Sequence, residues 1–350
     1  MVPIAEALDR RTIEGLLYER LQDLRVKCNA CAHRCTILPG LDGICRVRSN
    51  RAGTLMVPRG YVGALQVDPI EKKPFFHAFP GAEVLSFGML GCDLHCSYCQ
   101  NWLTSQTLRD PAARSGPRDV EPDELVGLAI SRKTPVMVST YNEPLITAEW
   151  AVEVFAKAQA AGIVCGFVSN GNATPEVLAF IRPFVSLYKI DLKGFREEHY
   201  RELGGKLKSI VDTIERVHGM GFWLEVVTLL VPGMNDDPVE LRDLTRFLAS
   251  VSPDIPWHVT AFHRDYKMST TRDTTASDLI RAAAIGREEG LRYVYAGNLP
   301  GEVGRLEDTR CPSCGTTVIG RRGYRIESRA QGGDGSCLAC RAPIAGYWQT

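Results

Sequence analysis

The sequence predicts an α/β protein whose parallel strands close part of a barrel, and three observations carry that reading. Between about residues 82 and 300, short apolar strands alternate with longer stretches of helical periodicity. Each helical stretch opens on a capping residue or a proline. Polar clusters follow the strands, where the functional residues of such barrels gather. Strand–helix repetition over this length indicates βα units with parallel pairing. About six or seven units suit a partial (β/α)6 barrel, and no internal repeat is visible.

The expected strands are Glu83–Met89, Pro135–Thr140, Gly162–Ser169, Val185–Leu192, Phe222–Leu230, Pro256–Phe262 and Arg292–Ala296. The expected helices are Pro122–Ser131, Ala148–Ala161, Thr174–Ile181, Ser209–Met220, Asp237–Val251 and Thr275–Glu289. The first strand runs into three cysteines, Cys92, Cys96 and Cys99, spaced C-x3-C-x2-C. The second ends in Ser139-Thr140-Tyr141-Asn142-Glu143-Pro144 and the third in Ser169-Asn170-Gly171-Asn172. The fourth ends in Lys189-Ile190-Asp191-Leu192-Lys193-Gly194, and the sixth carries His258, Thr260 and His263. Asn-Glu-Pro and Ser-Asn-Gly-Asn are also good turn sequences. Asp191 and Lys193 could equally form a local ion pair, and His258 could be a hydrogen-bonded core residue. Together, five polar loops on one barrel rim point to a site.

The three-cysteine loop is the sharpest signal. Structural zinc takes four protein ligands, and ordinary iron–sulfur clusters take four thiolates. Three thiolates in one short loop would leave one iron of a [4Fe–4S] cluster open to a substrate or cofactor. The competing reading is half of a zinc site, completed by His95 or Cys165. Cys165 lies in an apolar strand, where a free cysteine commonly serves as a small buried hydrophobe.

The chain has 350 residues, 45% of them apolar, enough for a large core. Lys+Arg and Asp+Glu both total 41, and this zero balance argues against bulk binding to nucleic acid or anionic membrane. No apolar run approaches a membrane span. The first residues, with Glu6, Asp9, Arg10, Arg11 and Glu14, read as an amphipathic helix without a signal-peptide core, so a cytoplasmic location is expected.

Twelve cysteines cluster by spacings that suit metals in a reducing compartment. Cys311, Cys314, Cys337 and Cys340 form two C-x2-C knuckles with the signature of a structural zinc ribbon. Cys28, Cys31, Cys35 and Cys45 read as zinc or an auxiliary iron–sulfur cluster, with His33 as a further ligand candidate. The expected segments are therefore 1–81, an N-terminal helix and four-cysteine metal-binding segment, 82–300, the barrel, and 301–350, the zinc-ribbon-like tail.

The C-x3-C-x2-C loop with Tyr98 before its last cysteine resembles the radical S-adenosylmethionine (radical SAM) signature. Further motifs are similar to the radical SAM component of the AmmeMemoRadiSam system, a group related to the activating enzymes of pyruvate formate-lyase. They are Asp68-Pro69-Ile70-Glu71-Lys72-Lys73-Pro74, Cys99-Gln100-Asn101-Trp102, Thr140-Tyr141-Asn142-Glu143-Pro144, Tyr188-Lys189-Ile190-Asp191-Leu192-Lys193-Gly194 and Trp257-His258-Val259-Thr260-Ala261-Phe262-His263. One departure is Arg264, where the family has proline after the late histidine; it alters the loop that would touch substrate.

The resemblance implies a [4Fe–4S] cluster on Cys92, Cys96 and Cys99 whose open iron chelates SAM. It implies that Glu143 with Asn142 binds the methionyl ammonium, that Ser169, Asn170 and His258 contact the ribose, and that Tyr98 lies against the adenine. Asp191 and Lys193 would sit near the sulfonium and carboxylate, with a monovalent cation. Reductive cleavage would give a 5′-deoxyadenosyl radical that takes hydrogen from a protein, peptide or small molecule. A flavodoxin- or ferredoxin-type donor would supply the electron, and AMMECR-type and Memo-type proteins would be partners. The alternatives are a non-catalytic multi-zinc binding protein and an iron–sulfur electron carrier.

Overall fold

The computed structural model describes residues 4–348. They fall into two compact units. The first comprises residues up to Val67, Val84–Tyr188 and Arg201–Phe222; the second comprises Asp68–Glu83, Lys189–Tyr200 and the chain from Trp223 onward.

The first unit opens with the helix Ile4–Asp9 and then turns directly into a strand, Thr12–Glu14. The expected N-terminal helix is thus shorter than its charge pattern suggested. Ile13 is claimed by pairing with Val57 in a three-stranded antiparallel sheet. A second small sheet joins Tyr18–Arg20, Val26–Cys28 and Thr36–Ile37. These strands of two to five residues hold too little pattern to be legible in sequence.

The larger sheet of this unit is built from β1 (Ala64–Pro69), β2 (Glu83–Gly88), β3 (Val136–Ser139) and β4 (Val164–Ser169), with α1 (Pro122–Ser131), α2 (Ala148–Ala160) and α3 (Pro175–Ile181) between the later strands. Strands β2, β3 and β4 are parallel, with Ser139 opposite both Phe87 and Phe167. Their apolar residues are almost all buried, the pattern of parallel strands covered on both faces. Helix α1 starts on a Glu121/Glu124 capping box with Pro122 at its first turn. Helix α3 starts on Thr174, whose hydroxyl accepts the Val177 N–H at 3.1 Å. The chain continues through β5 (Leu187–Asp191) and returns in α4 (Leu207–Gly219). Because β2, β3 and β4 run the same way in register, their C-terminal ends present three loops at one edge. Gly88 permits this crowding: a Cβ there would stand 2.0 Å from the Thr140 carbonyl oxygen.

A buried ion pair ties the N-terminal segment to this sheet's helices. Arg48 donates to Glu149 at 2.8 and 2.7 Å and to the Ile146 carbonyl at 3.1 Å. Glu149 also accepts the Leu16 N–H at 3.2 Å. Both side chains are withdrawn from solvent, so removing either would strand a buried charge.

The second unit holds β6 (Trp223–Leu230), α5 (Pro238–Val251), β7 (Trp257–Ala261), α6 (Ala276–Glu288) and β8 (Val294–Gly297), with β6, β7 and β8 parallel. Helix α5 is capped by Asp237 and α6 by a Thr275/Asp278 box. An antiparallel sheet of β9 (Thr309–Arg310), β10 (Thr317–Arg322) and β11 (Arg325–Arg329) follows. Its apolar side chains do not form a separate core. Val318, Ile319, Ile344, Cys311 and Cys337 pack with Phe76, Tyr293 and Tyr295 in one cluster.

A hydrogen-bonded chain crosses that cluster. His77 Nδ1 donates to the Ala345 carbonyl at 2.5 Å, and its Nε2 accepts from the Tyr295 hydroxyl at 2.5 Å. The Tyr295 oxygen lies 2.8 Å from Thr309 Oγ1. This arrangement uses His77 as a neutral ring. Burial pushes its pKa down to about 4, against the pull of Glu225. The folded chain therefore binds this proton more weakly than the unfolded chain does. The associated stability is full above the unfolded value of 6.5 and declines as pH falls toward 4. From pH 7 to pH 5 the loss is about 2 kcal/mol. Denaturant titrations should show that extra loss in the wild-type chain and not in His77→Gln.

Candidate active site

The loop after β2 is held at several points within the first unit. Met89 N donates to Asn142 Oδ1 at 2.9 Å, Gly91 N to the Thr104 carbonyl at 3.1 Å, and His95 N to the Leu203 carbonyl at 3.0 Å. Cys96 is buried, while Cys92 and Cys99 are partly exposed. Cys92 Sγ accepts the Leu94 N–H at 3.4 Å, and Cys99 Sγ lies 3.2 Å from Ser105 Oγ. Burial, reinforced by the charges of Asp93 and Glu143, pushes the Cys92 thiol well above its ordinary pKa. Tyr98 is buried beside the last cysteine.

The loop after β3 enters through Tyr141, a non-glycine residue at φ +70°. Next to it, Glu143 is 2% exposed and serves as a collector of donors. Its Oε1 accepts the Ser169 hydroxyl at 2.7 Å and the Leu145 N–H at 3.1 Å. Its Oε2 accepts the Asn170 N–H at 2.7 Å. Burial raises the Glu143 pKa to about 8, with the Asp93 charge adding to it and the hydrogen bonds opposing it. The loop after β4 is thereby bound to the loop after β3 through Ser169 and Asn170.

Asp93 and Asn172 were not singled out from the sequence. Asp93 is fully buried and accepts Asn170 Nδ2 at 2.7 Å and Asn172 Nδ2 at 2.8 Å. His33, considered above as a ligand, instead places Nε2 3.2 Å from the Asp93 carbonyl oxygen. Residue type and spacing carried no signal for Asp93, because its partners lie far along the chain in Ser169-Asn170-Gly171-Asn172.

The structure therefore brings Cys92, Cys96, Cys99, Tyr98, Asn142, Glu143, Ser169 and Asn170 into one unit. Asp191, Lys193 and His258 belong to the second. There, Asp191 pairs with Lys189 and, at 3.4 Å, with Lys193. Burial alone would raise its pKa, but the two ammonium groups outweigh that and lower it. His258 Nε2 lies 2.7 Å from Glu225 Oε2, and its ring stacks on Tyr295 at 5.0 Å. Burial lowers the His258 pKa, with Glu225 acting the other way. His258, Glu71, Thr260 and Asn298 line a small pocket of about 50 Å³.

Two further thiol groups differ in geometry. Cys311, Cys314, Cys337 and Cys340 have all four sulfurs within 4.8 Å of one another, with Cys311–Cys340 at 3.6 Å and Cys314–Cys337 at 3.8 Å. Among the described residues, Cys28, Cys31, Cys35 and Cys45 do not gather this tightly. Cys28, Cys31 and Cys45 are nonetheless buried, and burial raises the Cys31 and Cys45 thiols.

The Radical SAM superfamily profile matches residues 88–245, a span that holds the cysteine loop and the loops after β3 and β4. "Uncharacterized protein MJ0808" of Methanocaldococcus jannaschii is 35% identical over 310 residues, covering 88% of this chain and 91% of its own length. The pyruvate formate-lyase-activating enzyme of Staphylococcus epidermidis is 25% identical over 198 residues, covering 53% of this chain and 76% of that one. Among solved structures, a radical SAM methyltransferase from Sphaerobacter thermophilus aligns with a TM-score of 0.47 at 15% identity, covering 65% of this chain and 70% of that chain. Residues 88–245 carry a Radical SAM superfamily domain, the domain of a superfamily of enzymes. Membership implies a [4Fe–4S] cluster and SAM. The donor set suits such a cluster: three thiols on one short loop, with no fourth cysteine in it.

The geometry separates two substitutions at position 143. Glu143→Ala leaves three donors without their acceptor and should cost about 3 kcal/mol of stability. Glu143→Gln keeps one acceptor oxygen and no charge to desolvate, and should cost less than half as much. Thermal or denaturant unfolding of the two variants measures the difference.

Proposed function

We propose that this chain is a radical SAM enzyme that holds its cluster on Cys92, Cys96 and Cys99 and acts by hydrogen abstraction on a protein, peptide or small-molecule substrate. One observation carries the reading: the three-thiol loop shares a buried network with Asn142, Glu143 and Asn170, all within the first unit. A simple electron carrier has no use for that network. When bound, the cluster supplies the electron that cleaves SAM to methionine and a 5′-deoxyadenosyl radical.

The protein's own residues bind, orient and shield. Glu143 Oε2 takes one donor where Oε1 takes two, which leaves it acceptor capacity for the methionyl ammonium. Asn142 holds the start of the cluster loop through Met89 N. Asn170 and Ser169 take the ribose and Tyr98 the adenine; on the family resemblance alone, His258 would also contact the ribose, and Asp191 and Lys193, with a monovalent cation, the sulfonium and carboxylate. The five motifs quoted above support membership of the AmmeMemoRadiSam group, with AMMECR-type and Memo-type partners and a flavodoxin- or ferredoxin-type donor.

The C-terminal thiols are read as a structural zinc site. Four Zn–S bonds of about 2.3 Å in a tetrahedron put sulfurs about 3.8 Å apart, which is the spacing of the two close pairs. The N-terminal quartet is read as a second metal site, for zinc or an auxiliary cluster.

Anaerobic reconstitution with iron and sulfide, followed by dithionite and SAM, should yield 5′-deoxyadenosine detectable by mass spectrometry. Cys96→Ala should lose the catalytic cluster's absorbance and the product while keeping zinc. A variant that retained all its iron would refute the cluster assignment. Cys314→Ala should lose zinc and melt several degrees earlier with its cluster iron intact; loss of iron–sulfur signal instead would make the C-terminal site a cluster.

A further inference from the structure

Asp93 lies between two cluster cysteines, and nothing in the reading above gives it a role. Its carboxylate is fully buried and its two oxygens are used differently. Oδ1 accepts Asn170 Nδ2 at 2.7 Å, and Oδ2 accepts Asn172 Nδ2 at 2.8 Å. Asn172 N in turn donates to Asn170 Oδ1 at 2.8 Å, and Asn170 N donates to Glu143 Oε2. Asn170 is thus fixed at its backbone nitrogen and at both side-chain ends. The turn is anchored from the other side as well, because the Asn172 carbonyl accepts the N–H of Ala32, next to Cys31.

We propose that Asp93 is a positioning residue of the SAM site: its carboxylate clamps the turn after β4 onto the cluster loop and fixes Asn170 beside Cys92. The proposal rests on the radical SAM reading. Both partners are amide donors, so each oxygen must accept, which a carboxylate does at both ends. An asparagine at position 93 would turn an N–H₂ toward one of them. The clamp also carries charge. Asp93 has no lysine or arginine within ion-pair distance; His33, at 4.0 Å, is its sole candidate partner among the described residues. A fixed negative charge adjacent to a cluster ligand disfavours the reduced cluster.

The experiment uses the full chain reconstituted anaerobically. Asp93→Asn should keep its cluster iron, weaken SAM binding by about 10–100-fold, and raise the midpoint potential. SAM affinity is read from the change that SAM causes in the EPR spectrum of the reduced cluster, and the potential from redox titration. Asn172→Ala breaks one arm of the clamp and keeps the charge, so SAM binding should weaken with the potential unchanged. An Asp93→Asn protein with full iron and wild-type SAM affinity overturns the proposal. If that variant does not retain its cluster, Asn172→Ala decides alone, and wild-type SAM affinity there overturns it. A wild-type protein whose cluster spectrum ignores SAM would defeat the function reading instead.

Discussion

The Glu143 carboxylate is the interaction on which the candidate site depends. It gathers donors from Leu145, Ser169 and Asn170 and so binds the loop after β3 to the loop after β4. Burying a carboxylate is expensive; three hydrogen bonds offset part of that cost, and the Glu143 pKa still rises to about 8. The parallel register of β2, β3 and β4 makes the gathering feasible, since it delivers three loops to the same edge. Gly88 then allows the loop backbones to approach closely enough for Asn142 to reach Met89.

Most of the core elements were legible because their apolar residues repeat with the period of the element they form. The helix Pro122–Ser131 has the bounds read from its proline and its acidic first turn. The strand Val164–Ser169 begins two residues later than the apolar run, because Gly162 and Ile163 close the preceding turn. The N-terminal region was illegible for the opposite reason. Its strands are too short for a period, and long-range pairings such as Thr12 with Pro58 set their ends. In the site, the cysteines and Glu143 could be read from residue type and spacing. Asp93 could not, because its importance lies in two amides nearly eighty residues away.

The second unit shows a similar economy in a different place. The four-thiol tail shares one aromatic cluster with Tyr293, Tyr295 and Phe76. Arg321, fully buried, donates to the Phe76 carbonyl at 2.8 Å and to Thr309 Oγ1 at 2.7 Å. Glu225 collects N–H donors from Phe76, His77 and Trp223 and faces His258. The orientation of His258 is therefore set by Glu225 on one side and the Tyr295 ring on the other, and the Tyr295 hydroxyl is held by Thr309 and His77. Any ligand contact made by His258 inherits its geometry from that network.

The electrostatics of the first unit argue for the sign of the ligand. Asp93 and Glu143 are two buried carboxylates that share Asn170, and the Asp93 charge adds to the rise in the Glu143 pKa. Their hydrogen-bond partners are neutral N–H and O–H groups, so the negative charge is oriented without being cancelled. Arg48, the buried cation of this unit among the described residues, is committed to Glu149. An anionic ligand would meet uncompensated repulsion in such a place, whereas a cationic one lowers the cost of both carboxylates at once. SAM is cationic at its sulfonium and carries an ammonium group, the contact proposed for Glu143. The same residues that make the empty site expensive to ionise would then make SAM binding favourable, and this links the buried network directly to the chemistry of the superfamily.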